Sequence, residues 1–499
     1  MNPSPLVFGL PHALLRRPRL PAAAGSVAIA LALGGCAVVG PDYHAPAVSL
    51  PATLSQAAAG NGAAEPTSQA ALAAFWQGFK DPVLDDLMAH ALQANHDLRI
   101  AQARLQQARA ALVIADAADK PGVALGASAN KQVYGQTFFP GDRAARTKTA
   151  LGVDIPDARW EIDLFGKFAR GREAAAALVS AGEAGVAAAQ VSLAGEVARN
   201  YFELRGSQQQ LRIAEAALAN QRDTLKLVEG LEQYGRGTAL DTARSRALVA
   251  STEATLPALQ TAIVRSAERL AVLTGQLPDQ MRTLIAQPKA LPGLAPVPIL
   301  RSPRDLLQQR PDIRIAERQL AAANANIGIA TAALYPSITF SGMLGLNAGT
   351  PAGLPMNNAG IYNIGAALSW TPFDFGTLRS QIRVNEARTA EALANYEKTV
   401  LLSLEECDDA LVTFTRTQQQ QDSLRRAVEA SATADRLAQA RFAAGKTDFL
   451  TVLDTQRQLL ADQDRLSQSE TAAATALVAV YKAFGGGWIA PAAALADAR

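Results

Sequence analysis

The chain has 499 residues, of which 49% are hydrophobic and only 5% aromatic, and its 47 basic and 45 acidic side chains leave a formal net charge of +2. Near-neutrality argues against a nucleic-acid-binding protein, which needs a basic surplus or a basic face. The apolar content, mostly Ala and Leu, excludes disorder and suits long, closely packed helices.

Residues 1–35 read as an export signal. Arg16, Arg17 and Arg19 form a basic n-region, and residues 21–33 form an Ala-rich apolar run. That run is shorter than the roughly 20 apolar residues of a bilayer span and fits the h-region of a secretory signal. It ends in Leu33-Gly34-Gly35-Cys36, which resembles the lipobox of bacterial lipoproteins. There the cysteine is acylated and becomes the first residue of the mature chain. An ordinary signal peptide with a chance cysteine is the other reading. Under the lipobox reading the mature chain has 44 basic and 45 acidic side chains and keeps one cysteine, Cys407, so no intramolecular disulfide forms. Ala37, in place of Asp, implies sorting to the outer membrane in Gram-negative lipoproteins. Lipoproteins carry more than one acyl chain, since one alone anchors only marginally.

Residues 45–66 read as an irregular segment. A helix is expected over 97–118, followed by strands with period-2 alternation near 123–128 and 151–155 around a Pro/Gly loop at 138–142. Residues 169–234 contain no proline and predict one helix of about 100 Å. Along it Val197, Leu204, Leu211, Leu218 and Leu225 recur every seven residues, the coiled-coil period. The longest apolar region, 174–195, is interrupted by Glu183, so no transmembrane helix is expected in the mature chain. Residues 287–303 carry five prolines and read as a linker packed outside the helices.

The second half repeats this order. A helix is expected over 312–333, strands near 338–346 and 364–370, and a Gly/Pro/Asn-rich loop over 349–358. The heptad continues in Leu393, Val400, Cys407 and Phe414, then in Val452, Leu459, Leu466, Ala473 and Val480 on a returning helix. Cys407, on that seam, reads as a small buried hydrophobe. The other seam positions are small or polar, which predicts helices with one wet face and no thick hydrophobic core. Leu98-Arg99-Ile100-Ala101 matches Ile313-Arg314-Ile315-Ala316, Leu164-Phe165-Gly166 matches Asp374-Phe375-Gly376, and Gly235 before Leu240-Asp241 matches Gly445 before Leu450-Thr451. The chain is an internal duplication of about 210 residues. Four strands cannot close a barrel, and open edges are not tolerated in lipid. A membrane-spanning form must therefore oligomerise, and the strand count alone allows eight strands in a dimer or twelve in a trimer.

The lipobox followed by Gly40-Pro41-Asp42-Tyr43-His44-Ala45-Pro46, with Arg310-Pro311-Asp312-Ile313-Arg314 and Ala333-Leu334-Tyr335-Pro336-Ser337, resembles the NodT-type lipoprotein branch of the TolC-like outer-membrane efflux family. The resemblance covers essentially the whole mature chain. It implies a mixed α and β membrane protein: a trimeric 12-stranded transmembrane β-barrel, four strands per protomer, continuing into a long periplasmic α-helical coiled-coil tunnel. The implied layout is a signal peptide at 1–35 and a lipidated N-terminal segment with equatorial region at 36–75. A first repeat follows at 76–275, with its hairpin about 121–165 and long helices about 167–274. A Pro-rich linker at 276–303 leads to a second repeat at 304–486, with its hairpin about 336–375 and long helices about 376–484. Residues 487–499 form a tail. The implied function is a passive gated exit duct for drugs or other small toxic molecules, partnered by a periplasmic adaptor and an inner-membrane RND-type transporter. The implied place is the cell outer membrane, in contact with its lipids. No catalytic residue, metal or cofactor is implied beyond the lipid on Cys36.

Residues 441–454 interrupt two helical runs, and the residues alone would make this a plain helical hairpin turn around Gly445. In the family this turn is the periplasmic tip, where the tunnel closes and the adaptor docks. The resemblance makes Leu450 and Asp454, one helical turn apart, the aperture residues. It makes Asp241, Gly235, Arg441, Phe442 and Gly445 the tip latch and adaptor-docking set, with Arg441 the candidate partner of Asp241. Phe442 stands where many relatives have Tyr and cannot donate a hydrogen bond. Trp160, Trp370, Phe373 and Phe375 fit either an interfacial girdle or packing at the barrel base. Asp163 and Asp374 are expected to cap the helices that follow them. His90 and His96 read as solvated. No G-x-S-x-G, phosphate-loop or H-E-x-x-H pattern supports an enzyme. A structural helical lipoprotein would explain the heptads but not the strands or the duplication. A duct for type I protein secretion stays open.

Overall fold

The computed structural model describes residues 38–47, 73–134, 146–295, 309–355 and 358–486. The signal segment with Cys36, the loop at 138–142, most of 45–66, the later linker prolines and the tail at 487–499 lie outside the described residues. The chain divides into two compact units. One comprises the chain up to Pro41, Ala117–Gly171 and Asn326–Ile382; the other comprises Asp42–Asp116, Arg172–Ala325 and the chain from Arg383.

The first unit holds one sheet of β1 (Gly122–Tyr134), β2 (Arg146–Ile162), β3 (Ser337–Ala348) and β4 (Gly360–Ser369). Their order is β1-β2-β3-β4, antiparallel throughout, so β2 and β3 pair across the duplication and β1 and β4 are the edges. The strands outrun the expected cores of the hairpins, and each reaches the 9–11 residues a tilted membrane strand needs. Cross-strand register segregates the two faces. Trp160↔Phe340, Ile338↔Leu368, Gly342↔Ile364 and Leu344↔Tyr362 lie on one face; Arg159↔Ser341, Met343↔Asn363 and Ser128↔Gly152 lie on the other. The first face is apolar and exposed, the second mostly polar or small. Pro156 sits where both ladders of β2 slip register, the one kind of place a central strand tolerates a residue without an N–H.

Both sheet-to-helix junctions are capped as expected. Asp163 accepts from the Ala169 amide at 2.8 Å, and Asp374 accepts from Gly376 at 3.1 Å and Leu378 at 2.5 Å. These amide hydrogen bonds hold the Asp374 carboxyl below its usual range. Gly166 (φ +78°) and Gly376 (φ +87°) take the left-handed backbone that turns each junction.

The helices are α1 (Pro82–Ala94), α2 (His96–Ala117), α3 (Lys167–Gln233), α4 (Ala239–Glu253), α5 (Leu256–Thr274), α6 (Pro278–Ile285), α7 (Pro311–Ala332), α8 (Thr377–Ala443) and α9 (Phe449–Ala483). Helices α3 and α8, 67 residues each, are the long arms of the two repeats. In the second unit the heptad residues Val197, Leu204, Leu218, Val400, Cys407, Phe414, Val452, Ala473 and Val480 are buried, with Gln208, Gln221, Gln456 and Asp462 among them.

Two expectations are corrected. A thick core does exist: Phe75, Phe79, Leu84, Leu87 and Met88 pack with Tyr201, Phe202, Leu270 and Tyr481. The seam residues Val197, Leu204, Cys407, Phe414 and Val480 belong to it, and Phe75, Phe79, the short helices α1 and α5, and the aromatics Tyr201, Phe202 and Tyr481 thicken it. The linker is not wholly irregular, because Pro278 begins α6, whose Met281 and Ile285 are buried one turn apart. Lys167–Gln233 and Ala239–Thr274 also pass the length and composition test for a membrane span, a test that tightly packed Ala-rich helices pass as well. Ala raises the hydropathy there without bulk. The returning run of the first repeat is also interrupted, between α4 and α5 at Ala254–Thr255, just before Pro257, whereas α9 is continuous.

Candidate functional site at the helix tips

The α3–α4 and α8–α9 turns, both in the second unit, are built alike from differently ordered residues. Helix α3 ends at Gly235 (φ +71°) with Arg236 and Gly237 amides returning to the Leu231 carbonyl at 2.8 and 3.0 Å. Helix α8 ends at Gly445 (φ +66°) with the Lys446 amide returning to the Arg441 carbonyl at 2.8 Å. Only glycine takes this left-handed turn at little cost.

Each following helix starts on a reciprocal cap. At the first tip the Thr238 hydroxyl accepts from the Asp241 amide at 3.2 Å and donates to the Asp241 carboxylate at 2.6 Å. At the second, Asp448 accepts from the Thr451 amide at 3.1 Å and from the Thr451 hydroxyl at 2.5 Å. The duplication has kept the cap and exchanged Thr and Asp between its two places. Those Thr451 hydrogen bonds hold the exposed Asp448 carboxyl below its usual range.

Leu450 and Asp454 lie on the first turns of α9, both exposed, Leu450 at 40%. They lie on one side of the helix four residues apart, whereas Val452 and Leu453 are buried. Those two belong to a tip core with Val228, Leu248, Ala438 and Phe449. Phe442 packs on that core, its ring 5.4 Å from Phe449. It therefore serves here as an apolar contact. Asp241 and Arg441 are not brought together: among the described residues no ion pair joins them, and the Asp241 carboxylate is held by Thr238. The α3–α4 arms are instead tied by Thr242 to Glu232 at 2.5 Å, by Arg246 to Glu229 at 2.7 Å and by Arg222 to Glu253. The α8–α9 arms are tied by Thr455 to Asp435 at 3.3 Å.

Sequence reasoning missed these ties, and it also missed Thr238 and Asp448. The caps had a legible signal, T-x-x-D and D-x-x-T a few residues after each turn glycine.

Two quoted motifs gain roles away from the tip. Buried Arg310 donates to Asp312 at 3.0 and 2.6 Å, to Glu406 at 2.7 Å and to the Ala483 carbonyl at 3.0 Å, clamping the start of α7 and the end of α9 onto α8. Burial opposes its charge, but the Asp312 and Glu406 hydrogen bonds and charges outweigh that and raise its pKa. Tyr43 donates to Glu317 at 2.7 Å beneath Arg318, whose guanidinium lies 5.6 Å from its ring. His90 is exposed, with Nδ1 2.9 Å from the Asp86 carbonyl.

Residues 87–276 and 302–486 match the family model described as outer membrane efflux protein. The pyoverdine export outer membrane protein OpmQ of Pseudomonas putida is 34% identical over 424 residues, covering 83% of this chain and 88% of that protein. The toluene efflux pump outer membrane protein TtgI, also of Pseudomonas putida, is 32% identical over 461 residues, covering 92% and 97%. The solved structure of the outer-membrane channel OprN superposes with a TM-score of 0.83 at 37% identity, covering 91% of this chain and all of that one. The fold, mostly helical with one strand sheet, is that of TolC-like outer-membrane channels. On these matches the chain belongs to the outer membrane efflux protein family.

Proposed function

We propose that the protein is a lipid-anchored homotrimeric duct through which an inner-membrane transporter and a periplasmic adaptor expel small organic molecules across the outer membrane. The observation that carries this is the sheet: one apolar exposed face, one largely polar face, and two edges left open by β1 and β4. Lipid covers the apolar face, water wets the other, and the edges pair with those of neighbouring copies. Three copies give twelve strands, in keeping with the likeness to OprN. The names of the relatives, pyoverdine export and toluene efflux, support small organic cargo. Acylated Cys36 holds the mature N-terminus at the inner leaflet.

The family's activity is passage rather than chemistry, so the energy comes from the inner-membrane partner. At the periplasmic tip, Leu450 and Asp454 form rings of three. The Leu ring blocks hydrated solutes, and the Asp ring favours cations in the closed throat. Gly235, Asp241, Arg441, Phe442 and Gly445 shape the surface on which the adaptor docks. The native mass of the detergent-extracted protein tests the assembly: three chains, each beginning at acylated Cys36, are expected, and a monomer refutes it. In planar bilayers Asp454→Ala is expected to raise closed-state conductance, and unchanged conductance removes Asp454 from the aperture.

A further inference from the structure

The segment just after Cys36 is threaded through a groove that glycine makes possible. The Val39 amide donates to the Phe165 carbonyl at 3.1 Å. Buried Arg170 donates through Nε to the Val39 carbonyl and through Nη2 to the Gly40 carbonyl, each at 3.2 Å. A Cβ on Gly40 would lie 2.4 Å from the Gly328 Cα, one on Gly166 would lie 2.6 Å from Val38, and one on Gly328 would lie 2.7 Å from Arg170 Cγ. All of this lies within the sheet unit, where the first-repeat exit (Phe165, Gly166, Arg170) meets the second-repeat entry (Gly328).

The duplication supplies an internal comparison. By the register of the matched motifs, Gly166 corresponds to Gly376, Arg170 to Ser380 and Gly328 to Val113. A Cβ on Gly376 would meet nothing within 4 Å, and Val113 is 66% exposed. The glycine of α7 is thus a valine on α2, over which no segment passes among the described residues. Gly376 is kept for its turn, while Gly328, in ordinary helical backbone, is kept for the close approach.

We infer that Val38–Gly40 is a clip belonging to the first-repeat junction alone, which fastens the exit of one repeat to the entry of the other. It also fixes where the lipid anchor leaves the fold, because two residues span at most about 7 Å. That second consequence rests on acylation of Cys36, whereas the clip itself does not.

The test follows amide hydrogen exchange at Val39 in the full mature protein in detergent micelles, with intact mass measured on the same sample. Gly40→Val and Arg170→Ala are expected to speed exchange at Val39 roughly tenfold or more, the order set by losing a hydrogen bond and its cover. Gly171→Ala, next to Arg170 but with open space at its Cβ position, is expected to exchange like the unaltered protein. If Gly40→Val does not assemble, Arg170→Ala decides, since it removes the hydrogen bonds to the Val39 and Gly40 carbonyls and adds no bulk. Unchanged Val39 protection in Arg170→Ala overturns the clip. An unaltered protein without acyl mass overturns the lipid anchor and leaves the clip standing.

Discussion

Asp448 shows how one residue ties local chemistry to the proposed gate. Its carboxylate caps the helix whose first turns carry Leu450 and Asp454. Replacing such a cap with Ala costs about 1 kcal/mol, concentrated at the start of α9. Asp448→Ala is therefore expected to speed amide exchange at Thr451 and to raise closed-state conductance. Unchanged exchange would show that the tip core alone holds that turn. A second residue-scale effect concerns Glu317. Burial alone would raise its pKa, but hydrogen bonds from Arg318 and Tyr43 and the charges of Arg318 and Arg314 outweigh it, so the carboxyl sits below its ordinary 4.5. The native state then binds this proton less readily than the unfolded chain. Its stabilisation is complete above 4.5 and is lost as pH falls through the lowered folded value. Glu317→Gln is expected to flatten this acid limb of the denaturant midpoint, and an unaltered limb refutes the assignment.

Among the elements, α7, α8 and α9 meet at Arg310, which is 7% exposed. Its planar fork serves Asp312, Glu406 and the Ala483 carbonyl at once, a geometry that one ammonium cannot reproduce. Arg310→Ala is expected to lower stability by about 2–3 kcal/mol, the scale of hydrogen bonds to charged groups. Arg310→Lys should restore only part of this in thermal or denaturant unfolding; full restoration would mean that charge alone is needed. Beside it Cys407 donates to the same Ala483 carbonyl at 3.2 Å, so the seam cysteine is a hydrogen-bonding group as well as a hydrophobe. Burial pushes its thiol up to about 12 despite the opposing Arg310 charge. As thiolate is the reactive form, Cys407 is expected to resist alkylation until the protein unfolds. Rapid labelling of the native protein would contradict that burial.

For the whole molecule the decisive question is which side of the sheet meets lipid. Ile364 is 83% exposed on the apolar face of β4, and Asn363 lies on the opposite face. A lysine on a lipid-facing strand costs about 2–4 kcal/mol at mid-membrane, while a water-facing one is tolerated. Ile364→Lys is expected to reduce the yield of assembled channel in outer membranes, and Asn363→Lys to leave it near normal. Equal yields would overturn the assignment of faces.

The sequence by itself determined what repeats locally. Proline-free runs set the long helices, period-2 alternation set the four strands, and the turn glycines and junction aspartates set the helix ends. Duplication carried each of these into both halves, because they depend on neighbours within one or two turns. Only the tertiary structure decided what depends on distant partners. The pairing of β2 with β3 joins the halves by register, and no local pattern states it. Phe75, Phe79, the short helices α1 and α5, and Tyr201, Phe202 and Tyr481 on the long helices thicken a core that the heptad seam alone would leave thin. The Asp241 carboxylate turns to Thr238, its near neighbour, and not to Arg441. Gly328 and Val113 occupy matching places on matching helices, yet only the packed chain shows that a strand of backbone passes over the glycine. A side chain's type limits what it can contact, but which contact it makes is settled by the elements that folding brings alongside.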